Sequence, residues 1–172
     1  MRITERVHLV GSGSAGFDLT DALDCHVYLG DGSGAWALID AGAGRDPDRV
    51  AEQVRFSGVD TARPGHLLLT HSHGDHAGSV AAVLERFPAL RTRAGAAVAA
   101  WVRAGDERGI SLNRANLADV YPPDYIFRPA GAVSKLDVLS PGQHEVGLNR
   151  AARHVQSAAT VFASGLLSPS VV

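Results

Sequence analysis

The sequence predicts a mixed α/β fold in which strands and helices form separate layers of one domain. Its first part shows short apolar runs on either side of glycine-rich connections, which is typical of strands in hairpins. Farther along, short apolar strands alternate with segments of helical periodicity. The 172 residues suit a single domain over residues 1–172, and contents of 45% apolar and 20% charged residues are ordinary for a globular domain.

The N-terminal part is expected to form three strands. Residues 3–10 alternate well enough for a half-buried strand. Residues 27–29 and 36–39 are short apolar runs that flank a connection rich in glycine and aspartate at 30–34. Two such runs around such a connection predict a β-hairpin.

Helices are predicted after this hairpin. Asp46 is a favourable N-cap and Pro47 suits the first helical position, so a helix is expected over 47–57. The remaining predictions are strands over 66–69, 136–139 and 160–163 and helices over 78–87 and 94–104, whereas residues 105–135 show no clear pattern.

Charge and cysteine content exclude several classes of protein. A net charge of −2 gives no overall field that would attract nucleic acid or an anionic membrane surface. Cys25 is the single cysteine, so neither an intramolecular disulfide nor a cysteine-based zinc site is expected. No apolar stretch approaches the roughly 20 residues of a membrane helix, and the N-terminus does not resemble a secretory signal. We therefore expect a cytoplasmic protein.

A cluster of metal-binding residue types follows the predicted strand at 66–69. His71 and His73 are two residues apart, so their side chains point to the same side of an extended segment. With Asp75 and His76 they supply three imidazoles and a carboxylate, a set that suits zinc and also iron or manganese. Loops that follow buried strands commonly carry ligand sites. We therefore predict His71, His73, Asp75 and His76 as metal ligands.

These residues resemble a known family. The run His71-Ser72-His73-Gly74-Asp75-His76 resembles the HxHxDH signature of the metallo-β-lactamase superfamily. Upstream, Leu38-Ile39-Asp40-Ala41-Gly42 is similar to the strand end that this family writes as IDxG. The resemblance extends over residues 3–130 and weakens after residue 140. It implies an αββα sandwich with a metal site at one edge of two sheets, here incomplete in its C-terminal half.

The resemblance also implies a role for each residue of the cluster. His71 and His73 would bind a first zinc ion with a distant third histidine, and Asp75 and His76 would bind a second. Asp75 would orient the attacking water, which makes it the expected catalytic residue. Asp40 would support the ligands through hydrogen bonds. One or two zinc ions are expected, with iron or manganese as alternatives.

The C-terminal part departs from the family pattern. Residues 153–160 resemble the turn that carries the third histidine but lack its Pro-Gly-His part, so ligation by His154 or His144 stays open. Residues 161–165 are similar to the run before the bridging aspartate, where this chain has Leu166. A truncated or frame-disrupted homologue and a domain that borrows ligands from a partner both fit this pattern.

Two functions follow from these observations. The first is a metal-dependent hydrolase that uses zinc-activated water on an ester, thioester, lactone or amide of a small-molecule substrate. The second is a truncated or vestigial family member without catalysis, whose metal binding is weak or completed by a partner. Neither nucleic acid nor a membrane is an expected partner, and a homo-oligomer is left open.

Three features outside the cluster have plainer interpretations. Trp36 and Trp101 are expected in the core. The mixed-charge stretch that includes Arg103 and Arg108 is interpreted as a solvated helix end. Residues 121–125 form a proline-rich segment with two tyrosines, and whether these line a substrate cleft stays open.

Overall fold

The computed structural model describes residues 1–32, 34–117, 119–127 and 136–139. Within these ranges the strands form one six-stranded mixed sheet in the order of the sequence. The strands are β1 (Val7–Gly11), β2 (Val27–Asp31), β3 (Trp36–Ile39), β4 (Gly65–Leu68), β5 (Leu90–Gly95) and β6 (Leu136–Leu139). The helices are α1 (Pro47–Phe56), α2 (Gly74–Ala77), α3 (Val80–Arg86), α4 (Ala96–Ala104) and α5 (Leu112–Leu117).

The strand directions bring several loops to one edge of the sheet. The first three strands pair antiparallel, whereas β3, β4, β5 and β6 run parallel to one another. Parallel strands need crossover connections, and the helices of this chain supply them. The carboxyl ends of β3 to β6 and the amino end of β2 therefore lie at the same edge. Segments distant in the sequence meet there.

The core lies around the central strands. All four residues of β3 are buried, which is expected for a strand covered on both faces. Trp36 is inaccessible to solvent, its ring packs edge-on against Phe87, and its indole N–H donates to the carbonyl of Arg63 at 3.1 Å. Helix α1 buries one face through Val50, Ala51 and Val54.

The mixed α/β fold and most strands are confirmed, with two corrections. The strand predicted over 3–10 begins only at Val7, because the Thr4 hydroxyl accepts backbone N–H groups in a preceding turn and Ile3 is half-exposed. The helix predicted over 94–104 begins at Ala96, because Leu90–Gly95 forms β5. Alternating burial along β5 is the period-two pattern that the sequence reading missed.

The helix predictions are confirmed in part. Helix α1 is confirmed, and the Asp46 side chain accepts the backbone N–H of Arg49 as an N-cap should. The helix predicted over 78–87 is wrong at its start: α3 begins at Val80, and the separate turn α2 precedes it. Helix α5 was not predicted.

Some of the predictions concern residues that the structure does not describe. The strand predicted at 160–163, and the residues at 144, 154 and 166, lie outside the described residues. The described residues contain one sheet rather than the two that an αββα sandwich has.

Trp101 is 38% exposed, so its assignment to the core was wrong. In the described part of the chain, no helix is long and apolar enough to span a membrane.

A close backbone crossing joins the loop after β3 to the junction of α2 and α3. A Cβ atom at Gly78 would lie 2.2 Å from the carbonyl oxygen of Ala43. We expect Gly78→Ala to lower the free energy of unfolding by about 1–3 kcal/mol in urea denaturation, because the two backbones must separate. Gly95→Ala is the matched control, since no atom lies within 4 Å of a Cβ there. Equal losses in both variants would contradict this account of the crossing.

Candidate metal centre

The predicted ligands lie at the sheet edge described above. They follow β4, in a short loop that enters α2. His73 is the residue before the first turn of α2, and Asp75 and His76 lie within that turn. The turn is attached to two neighbouring strand ends, because Ala41 N–H donates to the carbonyl of His76 and Cys25 N–H to that of Asp75.

The four predicted ligands form one cluster. The ring centroids of His71 and His76 are 3.8 Å apart, and those of His71 and His73 are 4.6 Å apart. His76 Nε2 lies 3.3 Å from Asp75 Oδ2. Three imidazoles and one carboxylate therefore lie close together, and their residue types suit zinc. Among the described residues, however, the donor atoms that lie within 4.8 Å of one another are those of Cys25, Asp40 and His76. Metal binding by these residues stays a prediction.

Asp40 is the hydrogen-bonding centre beneath this cluster. It is 3% exposed and directly follows β3 with a φ of 62°, a left-handed conformation that aspartate tolerates better than most residues. Its Oδ1 accepts the Thr70 backbone N–H at 2.9 Å, and its Oδ2 accepts the Thr70 hydroxyl at 2.7 Å. His76 Nδ1 lies 2.8 Å from the same Oδ2. Since a carboxylate can only accept, His76 donates through Nδ1 and keeps Nε2 towards Asp75.

Thr70 extends the influence of Asp40 to a second ligand. Its hydroxyl oxygen lies 2.9 Å from His71 Nδ1. Because the hydroxyl proton is donated to Asp40, the oxygen is left to accept the Nδ1–H of His71. In this tautomer the Nε2 of His71 carries no proton, and its lone pair is available to a metal ion. Such hydrogen bonds fix the tautomer and orientation of metal-binding histidines.

The electrostatics of the metal-free cluster differ between its histidines. Burial, together with the neighbouring His76, lowers the pKa of His71 to about 4, so His71 is a neutral imidazole with an available lone pair. Burial also disfavours the charged form of His76. Hydrogen bonds to Asp40, Asp75 and Cys25 outweigh that effect and raise the pKa of His76 to about 12. A metal that binds His76 through Nε2 must therefore replace a proton.

These shifts predict how the stability of the metal-free chain depends on pH. The raised pKa of His76 stabilises the fold below 6.5, and this contribution is lost as the pH rises above 6.5 towards 12. The lowered pKa of His71 has the opposite sign, so stability falls as the pH drops from 6.5 to about 4. We expect thermal unfolding with a chelator present to show a maximum near pH 6.5. A midpoint that rises steadily from pH 6.5 into the alkaline range would contradict the assignment of His76.

Cys25 joins the cluster from the amino end of β2. Its sulfur, an Asp40 oxygen and a His76 nitrogen lie within 4.8 Å of one another, a trio that could itself hold a metal ion. Burial raises the pKa of the Cys25 thiol to about 11. A cysteine-based zinc site was not expected from the sequence, and the contribution of Cys25 to such a trio was missed. The hairpin predicted from residues 27–29 and 36–39 was the available signal. Its antiparallel register pairs Tyr28 with Ile39 and so places Cys25 and Asp40 at the same edge.

A stacked pair of tyrosines forms hydrogen bonds to α2. The rings of Tyr121 and Tyr125 are 4.4 Å apart and nearly parallel. The Tyr121 hydroxyl accepts the backbone N–H of Asp75 at 3.0 Å and donates to Asp75 Oδ1 at 3.2 Å. The Tyr125 hydroxyl lies 2.9 Å from the Ala43 carbonyl oxygen and 3.2 Å from that of Gly74. Burial and the nearby Asp75 raise the pKa of Tyr121, so its hydroxyl keeps its proton.

The two tyrosines offer a matched test of how Asp75 is positioned. Tyr121→Phe keeps the stacked ring but removes both hydrogen bonds to Asp75. We expect it to weaken zinc binding by about tenfold or more, because the carboxylate loses its orienting partner. Tyr125→Phe removes a hydrogen bond to backbone carbonyls only, and we expect its zinc affinity to stay near that of the wild type. Competition with a chromophoric chelator measures both affinities, and equal affinities would contradict the role of Tyr121.

Comparison with known families decides which group the chain belongs to. A family profile described as the metallo-beta-lactamase superfamily matches residues 20–163. The chain belongs to the metallo-beta-lactamase superfamily. Members of this superfamily bind metal ions, which agrees with a candidate metal centre at the sheet edge. A search of curated proteins found no significant match.

Solved structures of metallo-beta-lactamases share the fold. A Cronobacter sakazakii enzyme with a HARLDQ motif superposes with a TM-score of 0.62 at 19% identity, over 86% of this chain and 50% of that one. A B3 enzyme described as the first with an active-site glutamic acid gives 0.58 at 24%, over 83% and 46%. SMB-1 in complex with mercaptoacetic acid gives 0.56 at 22%, over 80% and 45%. The chain thus spans about half the length of these structures, and at such identities the likeness concerns the fold alone.

Proposed function

We propose that this chain is a zinc-dependent hydrolase of the metallo-beta-lactamase superfamily that acts on an ester, thioester, lactone or amide. One observation carries the proposal. The imidazoles of His71, His73 and His76 converge with Asp75 at one sheet edge, above a buried Asp40 that fixes the orientation of two of them.

The residues fit zinc in number and chemistry, and His76 would release its Nε2 proton when the metal binds. His71 is neutral and has Nε2 free, and the Nε2 of His76 faces Asp75. His71, His73, Asp75 and His76 would hold the metal. Bound zinc would lower the pKa of a water molecule and polarise the scissile carbonyl.

The chain's own side chains would perform the remaining tasks. Asp75 would orient the attacking water, because its Oδ2 lies beside His76 while Tyr121 holds its Oδ1. Asp40 would keep both His71 and His76 in the tautomer that leaves Nε2 free. The low exposure of Asp40 keeps water away from this hydrogen-bonded group.

Metal content and hydrolysis together test the proposal. The purified full chain is analysed for zinc, iron and manganese, and is then assayed on a panel of generic esters, thioesters and lactones. One or two equivalents of zinc with metal-dependent hydrolysis would support it. Less than about a tenth of an equivalent after incubation with zinc, with no hydrolysis, would exclude a zinc hydrolase.

A second candidate function is metal binding without catalysis, completed by ligands from elsewhere. The favouring observation is that, in the described part of the chain, the three side chains whose donor atoms lie within 4.8 Å of one another are Cys25, Asp40 and His76, and only His76 belongs to the predicted ligand set. Zinc that binds at one equivalent without hydrolysis of any substrate would favour this candidate. Iron or manganese as the metal, a cytoplasmic location and a homo-oligomeric state remain predictions.

A further inference from the structure

A cavity of about 630 Å³ opens beside the metal-binding loop, and its chemistry is distinct from that of the ligand cluster. His71 and His73 form one side of it. Trp101 of α4 and the segment that carries Arg108 and Arg114 form the other. Any molecule that reaches the predicted ligands His71 and His73 through this cavity must pass these side chains.

The cavity is positively charged. Its lining contains two arginines and no acidic residue. Both guanidinium groups belong to exposed residues, and no acidic side chain in the described ranges forms an ion pair with either. Guanidinium groups bind carboxylate and phosphate through paired hydrogen bonds. An anion that enters the cavity therefore meets two cations that are not already neutralised by the described chain.

The wall that carries these arginines is fixed relative to the metal-binding loop. The Ser72 hydroxyl donates to the Gly109 carbonyl oxygen at 2.8 Å, which joins the two walls directly. Asp106 accepts the backbone N–H groups of Arg108 and Gly109 in a tight turn. Buried Ile110 anchors the segment in the core. The backbone that carries Arg108 is thus attached directly to the predicted metal-binding loop.

Trp101 adds an apolar surface to this cationic wall. Its ring packs on Gly109, where a Cβ atom would lie 2.3 Å from the indole Cγ. The residue nevertheless remains 38% exposed, and it lines the cavity together with Val98. A flat apolar group can rest on an indole while a neighbouring anion reaches the guanidinium groups. The two arginines, the Trp101 ring and the predicted ligands His71 and His73 therefore line the same cavity.

We propose that this cavity is the substrate pocket, and that it selects acyl substrates that carry an anionic group away from the scissile carbonyl. Arg108 and Arg114 bind the anion, Trp101 contacts the apolar part, and the scissile carbonyl lies towards His71 and His73. This selectivity rests on the proposed hydrolase function. The charge of the cavity can be tested without it.

The two tryptophans allow a test that needs no catalysis. Trp36 is inaccessible to solvent, so ionic quenchers of fluorescence report on Trp101. In metal-free protein we expect iodide to quench about two-fold or more efficiently than caesium, after normalisation to a free tryptophan derivative. In the double variant Arg108→Gln/Arg114→Gln this excess should disappear. Arg55→Gln is the control, because Arg55 lies over the Phe87 ring outside the cavity lining, and it should keep the excess.

A matched pair of esters tests selectivity with the zinc-loaded chain. Para-nitrophenyl benzoate is neutral, and its 4-carboxybenzoate analogue carries a carboxylate that is too distant to attack its own ester. We expect kcat/KM to favour the carboxylate ester, and the double arginine variant to lose about tenfold or more of that preference through KM. The inhibition constants of acetate and of inorganic phosphate are then compared, and the anion with the lower constant is the preferred one.

The outcomes separate the two proposals. Absence of an iodide excess in the wild type, or an excess that the double variant retains, would overturn the cavity assignment. Equal hydrolysis of both esters by the wild type would overturn the selectivity while the hydrolase function stands. Quenching as expected without hydrolysis of either ester would reject the hydrolase function and with it the selectivity, leaving only the anion-attracting cavity.

Discussion

Replacement of His71 and His73 together by alanine is expected to abolish specific metal binding. The two rings lie 4.6 Å apart and project from one loop, so both would bind the same ion. Their loss leaves Asp75 and His76, which supply only two donor side chains of the predicted set. Two ligands do not complete the tetrahedral coordination that zinc prefers in proteins.

Elemental analysis and calorimetric titration with zinc measure this effect. His8→Ala is a suitable control, since His8 lies on β1 at the edge of the sheet and pairs with β2. The control should bind zinc as the wild type does. Wild-type stoichiometry in the double variant would place the metal elsewhere, and the trio of Cys25, Asp40 and His76 would then be the next site to test.

Asp40→Asn is expected to lower zinc affinity by about 10- to 100-fold without unfolding the chain. Asparagine has the same shape, tolerates the φ of 62°, and can still accept the backbone N–H of Thr70. Its amide nitrogen cannot accept from the Thr70 hydroxyl and His76 Nδ1, as Asp40 Oδ2 does. Both His71 and His76 then lose the partner that fixes their tautomers.

The same variant should change the titration of His76. Hydrogen bonds to Asp40 and Asp75 raise the pKa of His76 above its ordinary value despite burial, so removal of the Asp40 charge should lower it. Imidazole proton resonances followed against pH in metal-free protein measure this directly. Asp46→Asn is a matched control for the loss of a carboxylate, because Asp46 caps α1 away from the cluster. Unchanged zinc affinity in Asp40→Asn would show that the carboxylate does not orient the ligands.

The sequence predicted which residues of the metal-binding loop lie together, while metal binding by them stays a prediction. His71, His73, Asp75 and His76 lie within six residues, so strand periodicity and donor chemistry were enough to select them. The support from Asp40 followed from the family resemblance, and the hydrogen bonds to Thr70 and His76 confirm it.

The parts that the sequence reading missed depend on long-range contacts. Tyr121 meets Asp75 across 46 positions in the chain, and no local pattern marks such a pair. Arg108 is exposed, in agreement with its interpretation as part of a solvated stretch, but its position in the cavity lining beside His71 depends on a hydrogen bond between Ser72 and Gly109 and could not be predicted. Trp101 was assigned to the core on residue type alone, although packing leaves it partly in the cavity. Strand β5 was missed for a local reason, because the buried position Thr92 is polar and weakens the alternation of apolar and polar residues.

The position of Asp40 has a consequence for how zinc would stabilise the fold. All four predicted ligands come from one short segment, so an unfolded chain can also chelate the ion, and such binding offsets stabilisation of the native state. Asp40 reaches Thr70 and His76 across at least 30 residues and does so only when β3 and β4 are paired. The increase in the free energy of unfolding on adding zinc would therefore measure how much more tightly the native chain binds zinc than the unfolded chain does. Asp40 would supply that difference, because it orients ligands that lie close together in the sequence in either state.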